Sequence, residues 1–282
     1  MTIDAGPSPA VADRAGARGR SPLRHWVRTI GIVALRDLIR LRRMPTRIVG
    51  GLVQPLVFLL VLGAGLSQLV SHDSIGGVSY QEYIFPGVLA MSVIASSLYA
   101  AIAIVWDREF GFMREMLVAP VSRSALVLGK AVGGGSVALA QGVVLIALAP
   151  LVGVDLSVAK VFGLLGSLFA LALMTTALGI VLASRMKRLE SFQMVMALAL
   201  QPMVFLSGAI FPLQNLPGWL ALPCHLNPAT YGVDLARRTL LGSDVALTIH
   251  NHVVPVWADL AIVIGLAVAL LSVATRLFGH VD

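Results

Sequence analysis

Val158–Ala183 reads VAKVFGLLGSLFALALMTTALGIVLA, a run whose single charge, Lys160, lies near one end. A hydrocarbon layer about 30 Å thick takes a helix of roughly 20 mostly apolar residues. This run is long enough to cross it and keep the lysine in reach of water. Five further stretches have the same character, at 47–70, 83–106, 127–152, 192–212 and 254–277. Backbone amides and carbonyls find no water in hydrocarbon, and a helix satisfies them within one segment. The expected fold class is an all-α polytopic membrane protein with six transmembrane helices.

Composition agrees. Hydrophobic residues make up 57% of the chain and charged residues 12%, with a mean hydropathy of +0.88. A soluble domain carries about 25% charged residues. Pro55, Pro86 and Pro202 fall near span ends or at kinks. Gly63, Gly179 and the run Gly133–Gly135 allow close helix approach. That run precedes no phosphate-binding lysine and is read as packing or as a flexible point.

Residues 1–22 are rich in Ala, Gly, Pro, Ser and Arg without apolar periodicity, and are expected to be a disordered cytoplasmic tail. No apolar core of signal-peptide type follows their arginines. Arg42-Arg43 has the form of a twin-arginine start, but Pro45 and a long span follow it. The membrane domain is then 23–282, opening with an amphipathic interfacial helix over 23–44. Val27, Ile30, Ala34, Leu38 and Leu41 lie on one face, and Arg24, Arg28, Arg36, Arg40 and Arg43 on the other. Trp26 sits beside the apolar face. Such a helix lies in the interface with its arginines toward lipid phosphates, as an anchor or also as a contact for a partner.

The formal net charge is +7. The basic residues lie beside apolar spans and are not interleaved with aromatics on a polar domain. That pattern points to an anionic lipid leaflet and away from nucleic acid. With the N-terminus inside, all of the 21 basic residues except Lys160, Arg237 and Arg238 fall on the cytoplasmic side. Both termini are therefore expected in the cytoplasm. Lysine occurs only at 130, 160 and 187, a bias toward arginine typical of GC-rich bacterial genomes. The expected location is the bacterial cytoplasmic membrane.

The chain lacks the motifs of bond chemistry. Gly129-Lys130-Ala131 has neither the glycine spacing nor the hydroxyl of a phosphate-binding loop, and no H-E-x-x-H occurs. Phe205 stands where an intramembrane serine protease needs glycine before Ser207-Gly208. His250 and His252 are read as a solvated loop pair, so no metal is expected. Cys224 has no partner for an internal disulfide. The span centres lack ionisable residues, with Glu82 and Asp259 near outer ends where water reaches. Ion-coupled transporters usually keep charges at the midplane. An apolar or amphipathic cargo fits better, or a shape-changing device with no cargo.

Two connections are more than turns. In 107–123, Phe110, Met113, Met116 and Leu117 share one helical face among charges of alternating sign, and Pro120 ends or bends the helix. Such a short helix can pass motion from an attached protein into two spans. The segment 213–253 stays apolar through Leu216, Trp219, Leu220, Tyr231 and Leu235, as expected of two short helices dipping into the outer leaflet.

Three groups of residues carry a resemblance. One is Arg108-Glu109-Phe110-Gly111 continuing to Leu117-Val118-Ala119-Pro120-Val121-Ser122-Arg123. Another is Phe205-Leu206-Ser207-Gly208-Ala209-Ile210-Phe211-Pro212, followed by Leu216-Pro217-Gly218-Trp219 and Asn227-Pro228-Ala229-Thr230-Tyr231-Gly232-Val233-Asp234. The weakest is Arg36-Asp37-Leu38 to Arg43, with Pro55 in the first span. In these residues, over about 24–277, the chain resembles permease subunits of the ABC type 2 exporter family, in its daunorubicin-resistance-like drug and lipid exporter branch.

The resemblance implies a second permease copy, in a homodimer or heterodimer, and a separate ABC ATPase subunit holding ATP and magnesium. It implies no cofactor and no catalysis in this chain. Arg108, Glu109, Phe110, Gly111, Met113, Glu115, Leu117 and Pro120 would belong to a cytoplasmic coupling helix in a groove of the ATPase. Phe205, Ser207, Gly208, Phe211, Pro212, Pro217, Trp219, Asn227, Pro228 and Tyr231 would form the outer gate and re-entrant helices. Trp26, Arg36, Arg40 and Arg43 would belong to the connecting helix, and spans two and five would line the dimer seam. Arg237-Arg238 would face lipid headgroups, or be solvated or locally paired. The cargo would be hydrophobic or amphipathic: a drug, an antibiotic or a lipid. The alternative is an ATPase-linked subunit that transmits force without moving cargo.

Overall fold

The computed structural model describes residues 22–43, 45–66, 79–110, 122–154, 156–213, 216–242, 247–249 and 252–279. Helix α1 spans Pro22–Arg42. Helix α2 runs Pro45–Val57, continues through a π turn at Phe58–Leu62 and ends in Gly63–Leu66. Pro55 supplies no amide to its preceding turn, and the wider π geometry follows within the next turn. Helix α3 covers Tyr80–Ala100 and, after a turn at Ala101, Ile102–Glu109. Its start is a reciprocal cap. The Glu82 amide donates to Ser79 Oγ at 3.2 Å, and the Ser79 amide donates to Glu82 Oε2 at 2.9 Å.

Helix α4 is Arg123–Ala147, followed by a 3₁₀ turn at Ala149–Val152, and α5 is Val158–Arg185. Helix α6 is Leu189–Phe205, α7 is Gly218–Leu226 and α8 is Pro228–Leu241. A small antiparallel pair, β1 Thr248–Ile249 and β2 His252–Val253, precedes α9, Val256–Gly279. The chain is thus almost entirely helical. Among the described residues, four helices are long and apolar enough to cross a bilayer, at Tyr80–Glu109, Arg123–Ala147, Val158–Arg185 and Val256–Phe278. Val49–Leu62 and Leu189–Phe205 are shorter apolar helices.

Helix α5 lies at the centre, against α3, α4, α8 and α9. Leu164, Leu168, Leu171, Met174 and Ile180 on it are fully buried. Ser97 on α3 and Thr175 on α5 share a buried hydrogen bond across this contact. Small residues set the spacing where lipid gives no hydrophobic drive between helices. A Cβ on Gly133 would meet Asp37 and Ala34 of α1, and one on Gly134 would meet Ala100 and Thr176. The glycine run of α4 is therefore a packing surface.

Two expectations change. The span expected at 192–212 ends at Phe205. Pro202 removes a donor from its last turns, and Gly208 turns the chain at φ +73°. Its 17 residues reach about 25 Å, short of the hydrocarbon layer. The apolar face expected for 23–44 is also divided. Ala34 and Leu41 are buried with Val33 and Asp37 turned to α4, while Val27, Leu38, Ile32, Leu35 and Ile39 are exposed. The glycines of α4 admit that narrow stripe, and the other apolar side chains remain outward. The expected tail 1–22 lies outside the described residues except for its last position.

Gly87 of α3 lies against the Ala209 carbonyl, which an added Cβ would strike. Gly87→Ala is expected to lower stability by about 1–3 kcal/mol through overpacking. Gly166→Ala, whose Cβ meets nothing, is expected to be neutral or mildly stabilising. Unfolding by SDS titration in mixed micelles measures both.

Candidate functional site

The turn after α6 exposes carbonyls that a continuing helix would have bonded. Other residues of the chain supply the donors. Asn227 Nδ2 donates to Met203 O at 2.7 Å, Thr230 Oγ1 to Leu206 O at 3.2 Å, and Arg237 Nη2 to Gly208 O at 2.7 Å. Ser207 Oγ, itself buried, donates to Val204 O at 2.7 Å. Asn227 also caps α8 by accepting from the Ala229 amide, and Pro228 takes the first helical position, where no amide is needed. Tyr231 Oη donates to His225 O at 2.8 Å and ties α8 back to α7. Among the residues expected at an outer gate, Ser207, Gly208, Asn227, Pro228 and Tyr231 thus meet in one bonded corner. Phe211 and Pro212 are half-buried beside it, whereas Phe205, Pro217 and Trp219 are exposed.

A buried charge cluster locks this corner to the helices. Arg238 Nη2 lies 2.6 Å from Asp234 Oδ2 and 3.4 Å from Asp259 Oδ2 on α9. Asp234 Oδ1 accepts the Leu247 amide at 2.9 Å. The Arg237 guanidinium stacks over the Tyr83 ring of α3 at 4.2 Å. Asp259 is 0% exposed. The expectation that water reaches it is therefore corrected: α8 folds over it and brings its counter-charge. Arg237 and Arg238 are paired within the chain, which decides among the readings left open for them. Asp234 and Asp259 thus give the buried Arg238 guanidinium its counter-charge, as burial of a cation requires. Cys224 on α7 is buried as well, and burial pushes its thiol pKa up, which leaves it unreactive.

At the opposite end, the Arg108 guanidinium donates to Ser184 O at 2.8 Å and Met186 O at 2.9 Å, closing the end of α5. Glu109 Oε2 accepts the Leu189 amide at 2.9 Å and caps α6. These two side chains therefore work inside the chain, fixing the α5–α6 turn to α3. Phe110 is 63% exposed, its ring tilted against Trp106 at 5.7 Å. Gly111, Met113, Glu115, Leu117 and Pro120 lie outside the described residues. Trp26 Nε1 donates to Ser124 Oγ at 3.2 Å, joining α1 to the start of α4. Arg36 lies 3.8 Å from Asp37, while Arg40 and Arg43 are exposed. Lys130, whose surroundings in sequence do not make a phosphate-binding loop, is buried and 3.6 Å from Asp107.

Between α2, α3, α4 and α6 lies a cavity of about 290 Å³. Phe58, Val88, Leu200 and Val204 give it apolar walls. Gln54, Ser92, Tyr99, Gln141 and Gln201 give it polar ones, and among the described residues none that line it is charged. Sequence reasoning looked for ionisable groups and missed these. The available signal was a glutamine, Gln141, within an otherwise apolar span.

A bundle of apolar helices, fastened at both ends and holding an uncharged cleft, is the frame of a membrane permease. The chain belongs to the ABC-2 type transporter family, whose membrane domain matches residues 28–241. It is 30% identical to the transport permease ycf38 of Cyanophora paradoxa, over 75% of this chain and 74% of that protein. It is 31% identical to nodulation protein J of Rhizobium meliloti strain 1021, over 70% and 74% of the two chains. With nodulation protein J of Rhizobium leguminosarum bv. trifolii the identity is 29%, over 79% and 85%. The chain is accordingly a multi-pass membrane component of a transport system.

Arg238→Met leaves Asp234 and Asp259 buried without their counter-charge. A loss of about 3–5 kcal/mol is expected. Asp259→Asn is expected to lose less, because Arg238 keeps Asp234. Thermal unfolding of both variants in the same detergent tests the order.

Proposed function

We propose that this chain is the permease subunit of an ATP-binding-cassette exporter in a bacterial cytoplasmic membrane. It moves a hydrophobic or amphipathic cargo of drug, antibiotic or lipid type. The observation that carries this reading is the uncharged cavity between α2, α3, α4 and α6, with apolar walls and a volume of about 290 Å³. Ligand sites are mostly apolar concavities with a few placed polar groups. A device that only transmits force needs no such space.

In this reading α2 and α6 join the four longer helices as a six-span domain over 23–282, with both termini in the cytoplasm. Two permease copies, identical or not, meet along α3 and α6. ATP and magnesium bind on a separate ATPase subunit, and no bond chemistry falls to this chain. That partner grips the segment 109–119. Arg108 and Glu109 transmit its movement, because they tie the segment's start to Ser184, Met186 and Leu189. The pull acts on the α5–α6 turn and on α3 together. Helix α1 adds a second lever on α4 through Trp26. Cargo leaves past the region between Phe211 and Tyr231.

The test is ATPase activity of the complex isolated with its partner in lipid. Phe110→Asp with Leu117→Asp removes apolar contacts while leaving the Arg108 and Glu109 bonds in place. The expected result is that an ATPase accompanies the intact chain, and that the double variant loses at least about tenfold in cargo-stimulated activity, a coupling loss near 1.4 kcal/mol. If no ATPase associates with the intact chain after gentle extraction, the exporter reading fails.

A further inference from the structure

Gln141 is the one α4 side chain that lines the cavity, and it is 5% exposed. Its Oε1 has no hydrogen-bond partner among the described residues. Ser92 of α3 lines the same cavity, is 6% exposed and likewise leaves its Oγ without a partner. Buried polar atoms are nearly always bonded, and each exception asks for a reason. Inside an apolar domain the demand is stronger, since no lipid atom can substitute. The packing around the amide is also specific. Gly51 of α2 lies against it, and a Cβ at that position would overlap the Gln141 amide nitrogen.

We propose that Gln141 and Ser92 bind the uncharged, hydroxyl- or amide-bearing head of an amphiphilic cargo, whose alkyl part lies along Phe58 and Leu200. This rests on the transport reading above and adds the class of head that the permease selects. The chemistry follows from the two atoms. An amide oxygen needs an O–H or N–H donor, and a serine hydroxyl can give or take a bond. With no charged residue among the described residues of the lining, an ionised head would lose its hydration and gain no counter-charge from them. Exposed Gln54 and Gln201 extend the same neutral, hydrogen-bonding character along α2 and α6.

The experiment uses the full chain in phosphatidylcholine nanodiscs and three photoreactive dodecyl amphiphiles that differ only in their heads: glucoside, trimethylammonium and sulfate. Cross-linked peptides are mapped by mass spectrometry. The glucoside is expected to label peptides containing Phe58 or Leu200 at least about fivefold more than either ionic probe. Gln141→Leu is expected to lower that labelling about tenfold, and Gln141→Asn by less. Ser92→Ala, a smaller change, is expected to lower it about threefold and serves if the leucine variant does not fold. Equal labelling by the three heads, a preference for an ionic head, or labelling unchanged in the folded variants would overturn the proposal. The assay contains no ATPase. Lost head selection with an ATPase still associating with the intact chain therefore removes this inference alone, and no associating ATPase with head selection intact removes the exporter reading alone.

Discussion

Helix α6 stops at Phe205, and the carbonyls of Met203, Leu206 and Gly208 accept their bonds from Asn227, Thr230 and Arg237. Much of the molecule follows from that constraint. Non-helical backbone at membrane depth is tolerated only when protein supplies its hydrogen bonds. Helix α8 must therefore lie beside the turn, and α7 must bring it there. Once α8 is in place, its arginines are buried and need carboxylates, which Asp234 and α9 provide through Asp259. Tyr83 receives the second guanidinium, so α3 joins the same corner. The broken helix, the short outer helices and the ionic cluster are one arrangement.

The other end is held by a comparable economy of groups. Arg108 closes the carbonyl end of α5 while Glu109 caps the amide start of α6. Adjacent residues of α3 thereby clamp a three-residue connection. Such a junction fixes the α5–α6 turn to the end of α3. Between the two fastened ends, α2 and α6 are short, and α2 carries Pro55 and a π turn. The cavity lies along these interrupted helices, where interhelical packing is least regular.

Much of the architecture was legible in the sequence. Four long apolar runs gave long helices within a few residues of expectation, because helix formation in lipid depends on length and apolarity alone. The two short helices α7 and α8 were legible as helices through the retained apolarity of Leu220, Tyr231 and Leu235. The end of α6 was misjudged because 206–212 is as apolar as a span. Apolarity does not reveal whether a segment is helical once Pro202 and Gly208 redirect it. The apolar face of α1 is divided between α4 and the outside for a related reason: an apolar stripe shows which residues avoid water, not which glycines they will meet.

The sequence by itself determined that this protein lives in a membrane and which of its segments form long apolar helices. Those properties are sums over local residues. Only the tertiary structure decided what the polar residues do. Arg237 and Arg238 stand on α8 and Asp259 on α9, and whether they meet water, lipid or each other depends on how α8 folds over α9. The same holds for Gln141 and Ser92, which become a site only because α2 and α6 leave space in front of them. A polar group's role is set by its nearest partners, and in this chain those partners come from other helices.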